Sequence, residues 1–154
     1  MSYTLLRVFR YLPSTGTAEE HTDLGLLTMC IGNRRGLQMC DRVRSTDSEL
    51  QWIDASEGMN HAIILVGQTL KMVSSGGLNA GIHRVHGNPL GRNSVVYGLR
   101  HSSKNAIDLG LFGGEGCIRP EELYTFMGVG KVNINAVKNK RDKQREIFEG
   151  ARQG

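Results

Sequence analysis

The sequence of 154 residues predicts a mainly β protein, a jelly roll in which two antiparallel sheets close on a wide mouth. Eight short segments rich in strand-forming residues follow one another, and turn residues separate them. The chain also contains 20 glycines, which suit many tight turns. A chain of this length forms one domain with a sizeable core. We expect the jelly roll to span residues 1–114 and a helical segment to span residues 115–154.

The first four predicted strands lie before residue 56. The segment from Leu5 to Leu12 alternates imperfectly between apolar and polar residues and ends at Pro13. Gly32 to Gly36 has the residues of a hairpin turn, and the charged stretch 41–49 is expected to be an exposed loop. The strands predicted in this part of the chain are 5–12, 24–31, 37–40 and 50–55.

The other four predicted strands lie between residues 61 and 111. The run from His61 to Val66 is almost entirely apolar and short enough for a buried strand. Ser74 to Gly77 is expected to be a flexible link. The strands predicted here are 61–66, 82–86, 94–99 and 106–111.

The pattern becomes helical after Gly114. Pro120, followed by two glutamates, suits the first turn of a helix, because proline fits there and carboxylates favour the positive end of the dipole. This helix is expected to end at Gly128 or Gly130. A second helix is expected to start at Asn133 or Asn135 and to run to about residue 151.

The net charge of +4 is concentrated at the C-terminus. Residues 131–154 hold seven Lys/Arg against three Asp/Glu, and residues 1–130 hold twelve of each. We interpret this tail as the solvated face of a helix and expect no nucleic-acid partner, because aromatic residues are not interleaved with the charges. We recognise no signal peptide and no membrane-spanning stretch. The odd count of cysteines, Cys30, Cys40 and Cys117, suggests free thiols in a reducing cytoplasm.

Three short motifs carry candidate chemistry. His21 and Asp23 are two residues apart, so in an extended strand their side chains share a face. By itself such a pair is more often a surface or capping pair than a site. His83-Arg84-Val85 follows much later in the chain, and Arg92-Asn93-Ser94 comes shortly after it. Arg92 and Ser94 again share a strand face, where a guanidinium fork and a hydroxyl can bind a carboxylate.

The series His21-x-Asp23, His83-Arg84-Val85 and Arg92-x-Ser94 resembles the Fe(II)/2-oxoglutarate-dependent dioxygenases. The branch it resembles contains isopenicillin N synthase, flavonoid and gibberellin oxidases and many fungal enzymes of secondary metabolism. The resemblance runs from about Leu5 to about Leu111 and includes Gly36-Leu37-Gln38 and Trp52-Ile53-Asp54. It implies the double-stranded β-helix form of the jelly roll.

The resemblance also implies a role for each motif. His21, Asp23 and His83 would bind Fe(II) and leave three neighbouring positions, two for 2-oxoglutarate and one for O₂. Arg92 and Ser94 would hold the distal carboxylate of 2-oxoglutarate, and Tyr11 would help to hold this co-substrate. No catalytic residue is expected beyond the metal ligands.

The implied reaction couples the oxidative decarboxylation of 2-oxoglutarate to the hydroxylation or desaturation of a small, mostly apolar metabolite. Two alternatives remain open. An iron oxidase would take its electrons from the substrate and need no 2-oxoglutarate. A non-catalytic jelly-roll module would serve only as a subunit or binding partner.

Three departures from the family pattern bear on these expectations. The family's asparagine near Tyr11 is replaced around Phe9, and Gln68 stands near a usual aspartate. Family enzymes also carry N-terminal helices that cover the outer face of the larger sheet, whereas this chain begins almost at its first core strand. We therefore expect an uncovered apolar face that invites self-association or a partner, or else makes the chain marginally stable.

Overall fold

The computed structural model describes residues 4–55, 61–102, 104–119 and 122–123. Within these ranges, helix α1 spans Gln68–Val73 and a 3₁₀ turn spans Leu109–Phe112. The strands are β1 (Leu5–Tyr11), β2 (Ala18–His21), β3 (Leu27–Gly32), β4 (Leu37–Cys40), β5 (Trp52–Asp54), β6 (Ile63–Val66), β7 (His83–Val85), β8 (Arg92–Leu99), β9 (Ile107–Asp108) and β10 (Cys117–Ile118).

Eight of these strands form two four-stranded antiparallel sheets. The major sheet has the order β1-β8-β3-β6 and the minor sheet the order β2-β7-β4-β5. Residues alternate between the two faces of β1, where Leu5, Phe9 and Tyr11 are more buried than their neighbours. The core between the sheets includes Cys30 from the major sheet and Leu37 from the minor sheet. The predicted mainly β jelly roll is confirmed.

The eight segments that form the two sheets are not the same eight that were predicted. The structure adds β2, which was not predicted because Ala18-Glu19-Glu20-His21 has few strand-forming residues. It becomes extended because it pairs with β7 at the edge of the minor sheet. The predicted strand 106–111 shortens to β9, since the Asp108 side chain accepts a hydrogen bond from the Gly110 amide and starts the 3₁₀ turn. Strand β9 pairs with β10 outside the two sheets.

Helix α1 was not predicted. It is only six residues long, and its sequence, Gln-Thr-Leu-Lys-Met-Val, has no side-chain N-cap. Tertiary packing holds it, because Val73 lies in a buried cluster with Ile107 and Leu123. Except for residues 122 and 123, the predicted helix 120–128 lies outside the described residues, as does the predicted helix 135–151.

The outward face of the major sheet carries large apolar side chains on all four strands. Val8 is 75% exposed on β1, and Ile64 is 56% exposed on β6. We call this surface the outer apolar face; it consists of Leu6, Val8, Ile31, Ile64, Val95, Tyr97 and Leu99. Single exposed apolar residues are common on proteins, but a set spanning a whole sheet is typical of an interface.

All three cysteines are free, as predicted, and Cys30 is buried between the sheets. Within the described ranges, the structure contains no helix with the length and apolar character needed to cross a bilayer.

Candidate metal centre

The structure brings His21, Asp23 and His83 together at the inner side of the minor sheet. His21 on β2 lies directly opposite His83 on β7, and their ring centroids are 4.3 Å apart. The Asp23 carboxylate faces both rings: Oδ1 is 3.8 Å from His21 Nε2, and Oδ2 is 3.9 Å from His83 Nε2. One donor atom from each residue lies within 4.8 Å of the other two.

The reason predicted for the proximity of His21 and Asp23 is wrong. His21 ends β2, and Asp23 lies in the following loop rather than on a strand that the two residues share. Helix α1 holds this loop instead. The Gln68 amide donates to the Asp23 carbonyl at 2.7 Å, the Gln68 side chain donates to Thr22 Oγ1 at 2.8 Å, and the Thr69 hydroxyl donates to the Leu24 carbonyl at 2.6 Å.

The loop packs closely against the start of α1 at Gly67 and against the end of β8 at Gly25. A Cβ atom at Gly67 would collide with the backbone of Gly25, and a Cβ atom at Gly25 would lie 2.6 Å from the Leu99 carbonyl oxygen. Only residues without a side chain allow this contact. The position of Asp23 therefore depends on the backbone packing between the loop and α1.

The hydrogen bonds of the two histidines fix their tautomers. His21 Nδ1 lies 2.7 Å from the Glu19 carbonyl oxygen, and His83 Nδ1 lies 3.0 Å from the Gly81 carbonyl oxygen. Because a carbonyl can only accept, each Nδ1–H must donate, and each Nε2 keeps its lone pair toward Asp23. Burial lowers the pKa of His83, the nearby His21 lowers it further, and Asp23 partly opposes the shift. A neutral imidazole with a free Nε2 lone pair is a metal ligand.

This donor set fits Fe(II). Two imidazole nitrogens and one carboxylate oxygen on one side of the ion are the ligands of non-haem Fe(II) oxygenases. Since these residues supply only three ligands, positions remain for a chelating co-substrate and for O₂. A closed structural site would need a fourth protein ligand.

Arg92 and Ser94 lie on the inward face of β8 and are only 2% and 3% exposed. Arg92 Nε donates to the Arg34 carbonyl at 3.1 Å, which orients the guanidinium group. Among the described residues, neither Arg92 Nη1 nor Ser94 Oγ has a hydrogen-bond partner, although both are buried. Buried polar groups without a partner are costly. A carboxylate would satisfy both, so these residues fit the distal end of 2-oxoglutarate.

Tyr11 lies beside this pair. It is directly opposite Arg92 in the strand register, and Arg92 Cζ is 5.6 Å from the centroid of the Tyr11 ring. Ser94 lies close to the Tyr11 phenol but makes no hydrogen bond of good geometry with it. Burial raises the pKa of Tyr11, an effect that the Arg92 guanidinium partly opposes. The phenol therefore stays protonated and can donate a hydrogen bond to a carboxylate.

Two further residues shape the Arg92 site and were not predicted. Gly32 was assigned to a hairpin turn, yet it ends β3 opposite Ser94, where a Cβ atom would lie 2.8 Å from Arg92 Cζ. Arg92 Nη2 donates a long hydrogen bond to Cys30 Sγ at 3.7 Å. In the sequence, Cys30 and Gly32 are two residues apart and so share one face of β3. This spacing points to the Arg92 site only once β8 is known to pair with β3.

Comparison with known proteins supports this interpretation. The chain is 32% identical over 107 residues to the 2-oxoglutarate-dependent dioxygenase ecdG of Aspergillus rugulosus, a match that covers 65% of this chain and 31% of that protein. It is 35% identical over 91 residues to the 2-oxoglutarate-dependent dioxygenase iboH of Amanita muscaria, covering 54% of this chain and 42% of that protein. The chain thus spans less than half the length of either relative.

A solved structure has a similar fold. The crystal structure of a full-length Neurospora crassa protein in complex with alpha-KG superposes on this chain with a TM-score of 0.62 at 22% identity. The superposition covers 84% of this chain and 45% of that one.

A family model agrees with these relatives. Residues 3–101 match the model described as the 2OG-Fe(II) oxygenase superfamily. The match does not specify a branch, so the resemblance to the branch of isopenicillin N synthase stays a prediction. Because the matched region includes His21, Asp23, His83, Arg92 and Ser94 and most of the chain, this protein belongs to the 2OG-Fe(II) oxygenase superfamily.

Proposed function

We propose that this chain carries the centre of an Fe(II)- and 2-oxoglutarate-dependent oxygenase that hydroxylates or desaturates a small organic molecule. The observation that carries the proposal is the pairing of two groups on the inner faces of facing sheets. One is the set of His21, Asp23 and His83 donor atoms, all within 4.8 Å of each other. The other is the buried pair of Arg92 Nη1 and Ser94 Oγ, which lack hydrogen-bond partners among the described residues.

Each residue has one task in this proposal. His21 and His83 offer Nε2 to iron, while the carbonyls of Glu19 and Gly81 hold their rings in place. The Asp23 carboxylate completes the ligand set and lowers the charge of the site. With O₂ as the oxidant, bound iron would couple the oxidative decarboxylation of 2-oxoglutarate to succinate and CO₂ with the oxidation of the substrate.

The Arg92 site sets the orientation of the co-substrate. Arg92 is held by the Arg34 carbonyl and can form a two-point contact with one end of a dicarboxylate. Ser94 adds a hydroxyl, and the protonated Tyr11 phenol adds a donor. A 2-oxoglutarate molecule held here by its distal carboxylate would keep its keto-acid end free to bind the metal.

An anaerobic titration tests this function and its alternatives. The protein is loaded with Fe(II), titrated with 2-oxoglutarate, exposed to O₂ and assayed for succinate. Succinate formation that requires iron supports the proposal. Iron binding with O₂ consumption but without any need for 2-oxoglutarate would favour the iron oxidase. Failure to bind Fe(II) would leave the non-catalytic jelly-roll module.

We also propose that the outer apolar face mediates self-association. The face carries large apolar side chains on all four strands of the major sheet, and two copies would shield them from water. A cytoplasmic location and the expectation of no nucleic-acid partner stay predictions.

A further inference from the structure

A cavity of about 50 Å³ lies beside the metal centre. Asp23 forms part of its wall, and the inner face of the major sheet forms its floor. Its other lining residues include Leu5, Arg7, Leu24, Val96, Gly98 and Arg100. Gly98 is six residues along β8 from Arg92, or about 20 Å at roughly 3.3 Å per residue. The cavity is therefore separate from the Arg92 site.

Gly98 leaves open space at the floor of this cavity. A Cβ atom there would meet nothing closer than 4.0 Å, the distance to the Leu5 carbonyl oxygen. Arg7 lies on the neighbouring strand, opposite Val96 and diagonal to Gly98 on the same face. Arg100 follows two residues after Gly98 and also lines the cavity. The missing side chain thus leaves room between two arginines.

The charges of the lining favour an anion. Two arginines and one aspartate line the cavity, and the negative charge of Asp23 would be offset once a divalent metal binds it. Charged groups on the inward side of a sheet are costly unless other groups satisfy them. Arg7 and Arg100 each interact with another protein group, but a guanidinium has five N–H donors and can serve a ligand as well.

We propose that the substrate carries a carboxylate that Arg7 and Arg100 bind above Gly98. Leu5, Leu24 and Val96 contact its apolar stem, which extends toward the metal. A cavity of about 50 Å³ holds about three to five water-sized groups, which suits a carboxylate with a short stem. The inference rests on the proposed function, since it takes the metal beside Asp23 as the reacting centre.

Matched small probes test this site without turnover. Anaerobic protein is loaded with Mn(II), a paramagnetic stand-in for Fe(II), and saturated with 2-oxoglutarate so that the Arg92 site is occupied. Butyrate and butyramide are then titrated, and the relaxation of their methyl protons by Mn(II) is measured by NMR. We expect butyrate to bind at least about tenfold more tightly than butyramide, because charge-assisted hydrogen bonds are lost with the amide.

Variants assign the preference to this cavity. Arg7→Gln and Arg100→Gln should each weaken butyrate binding roughly tenfold and leave butyramide unchanged. Gly98→Leu should exclude both probes by filling the open space. Arg10→Gln is the matched control, since Arg10 lies on the exposed face of the same strand, and it should behave like the parent protein.

Different results would contradict the proposed function and the carboxylate site. If Mn(II) does not relax the methylene protons of 2-oxoglutarate, the proposed function fails. If 2-oxoglutarate binds but butyrate and butyramide bind equally, the carboxylate site fails. A butyrate preference that survives both arginine substitutions would also overturn it.

Discussion

At the scale of single residues, the candidate metal centre depends on which nitrogen of each imidazole carries the proton. The carbonyls of Glu19 and Gly81 accept from Nδ1 and leave Nε2 available at both His21 and His83. His83 is only 6% exposed, and burial favours its neutral form. The centre is therefore prepared for a cation before any cation binds.

The first prediction concerns His83. Replacement by alanine should abolish most Fe(II) or Co(II) binding, because the remaining pair cannot fix a three-point geometry. Isothermal titration under anaerobic conditions measures the loss. His86→Ala is the control, since His86 is exposed and lies just beyond β7. Equal metal affinity in the two variants would contradict the assignment of His83.

The second prediction concerns Arg92. Arg92→Leu should weaken 2-oxoglutarate binding by about 1.5–3 kcal/mol, or roughly tenfold or more, while metal affinity stays the same. Arg92→Lys should recover only part of the loss, because an ammonium keeps the charge without the two-point fork. Titration of 2-oxoglutarate into metal-loaded protein separates these effects. An unchanged affinity in Arg92→Leu would remove Arg92 from the co-substrate site.

At the scale of elements, the short helix α1 holds the loop that carries Asp23. Six residues form a helix that is marginal alone, yet its first residues bind the backbone of the loop that carries Asp23. The close contact of Gly67 with Gly25 makes this docking possible. The helix thus supports the candidate metal centre although it supplies no candidate ligand.

A third prediction tests the glycine contact. Gly67→Ala should destabilise the protein by at least about 2 kcal/mol, because the new methyl group would press on backbone that cannot yield. Gly98→Ala adds the same methyl group in open space and should change stability by less than about 1 kcal/mol. Chemical denaturation measures both, and similar losses would show that the close approach is unimportant.

A fourth prediction tests the contact between α1 and the loop. Gln68→Leu and Thr22→Val each remove one side of the 2.8 Å hydrogen bond and should weaken Co(II) binding about threefold to tenfold. The double variant should lose no more than the larger single loss, because both residues act through one contact. Gln51→Ala, in an exposed loop, should have no effect. Fully additive losses would show that Thr22 and Gln68 act separately.

At the scale of the whole molecule, the inner and outer faces of the sheets have different roles. Their inner faces hold the core, the two candidate histidine ligands and the candidate co-substrate residues, and the outer face of the major sheet is left apolar. The side chains of this face lie on four adjacent strands, so they form one surface rather than scattered contacts.

The fifth prediction follows from this surface. The protein should sediment as a dimer or larger species at micromolar concentration, since association removes apolar area from water. Val8→Lys combined with Ile64→Lys should shift it toward the monomer without altering metal affinity, because both residues are exposed on the outer side of the sheet. Analytical ultracentrifugation provides the measurement. A parent protein that is monomeric throughout the concentration range would refute the proposed self-association.

The sequence by itself determined the fold class, the family and the residues of the candidate site. Alternating and apolar segments predict the strands, because burial on one face of a sheet requires that pattern. The motif spacings supported the resemblance, and the structure places His21, Asp23 and His83 together. Each of these features lies within a short segment or in the order of segments along the chain. A single sequence is therefore enough to reveal them.

Only the tertiary structure decided how the residues are held. Strand β2 is polar and becomes a strand by pairing with β7, and α1 is stable because it packs on Ile107 and the Asp23 loop. The room beside Arg92 depends on Gly32, and the cavity at Gly98 depends on two strands lying in one register. Such features arise from contacts between distant segments, whose energies no local pattern in the chain records.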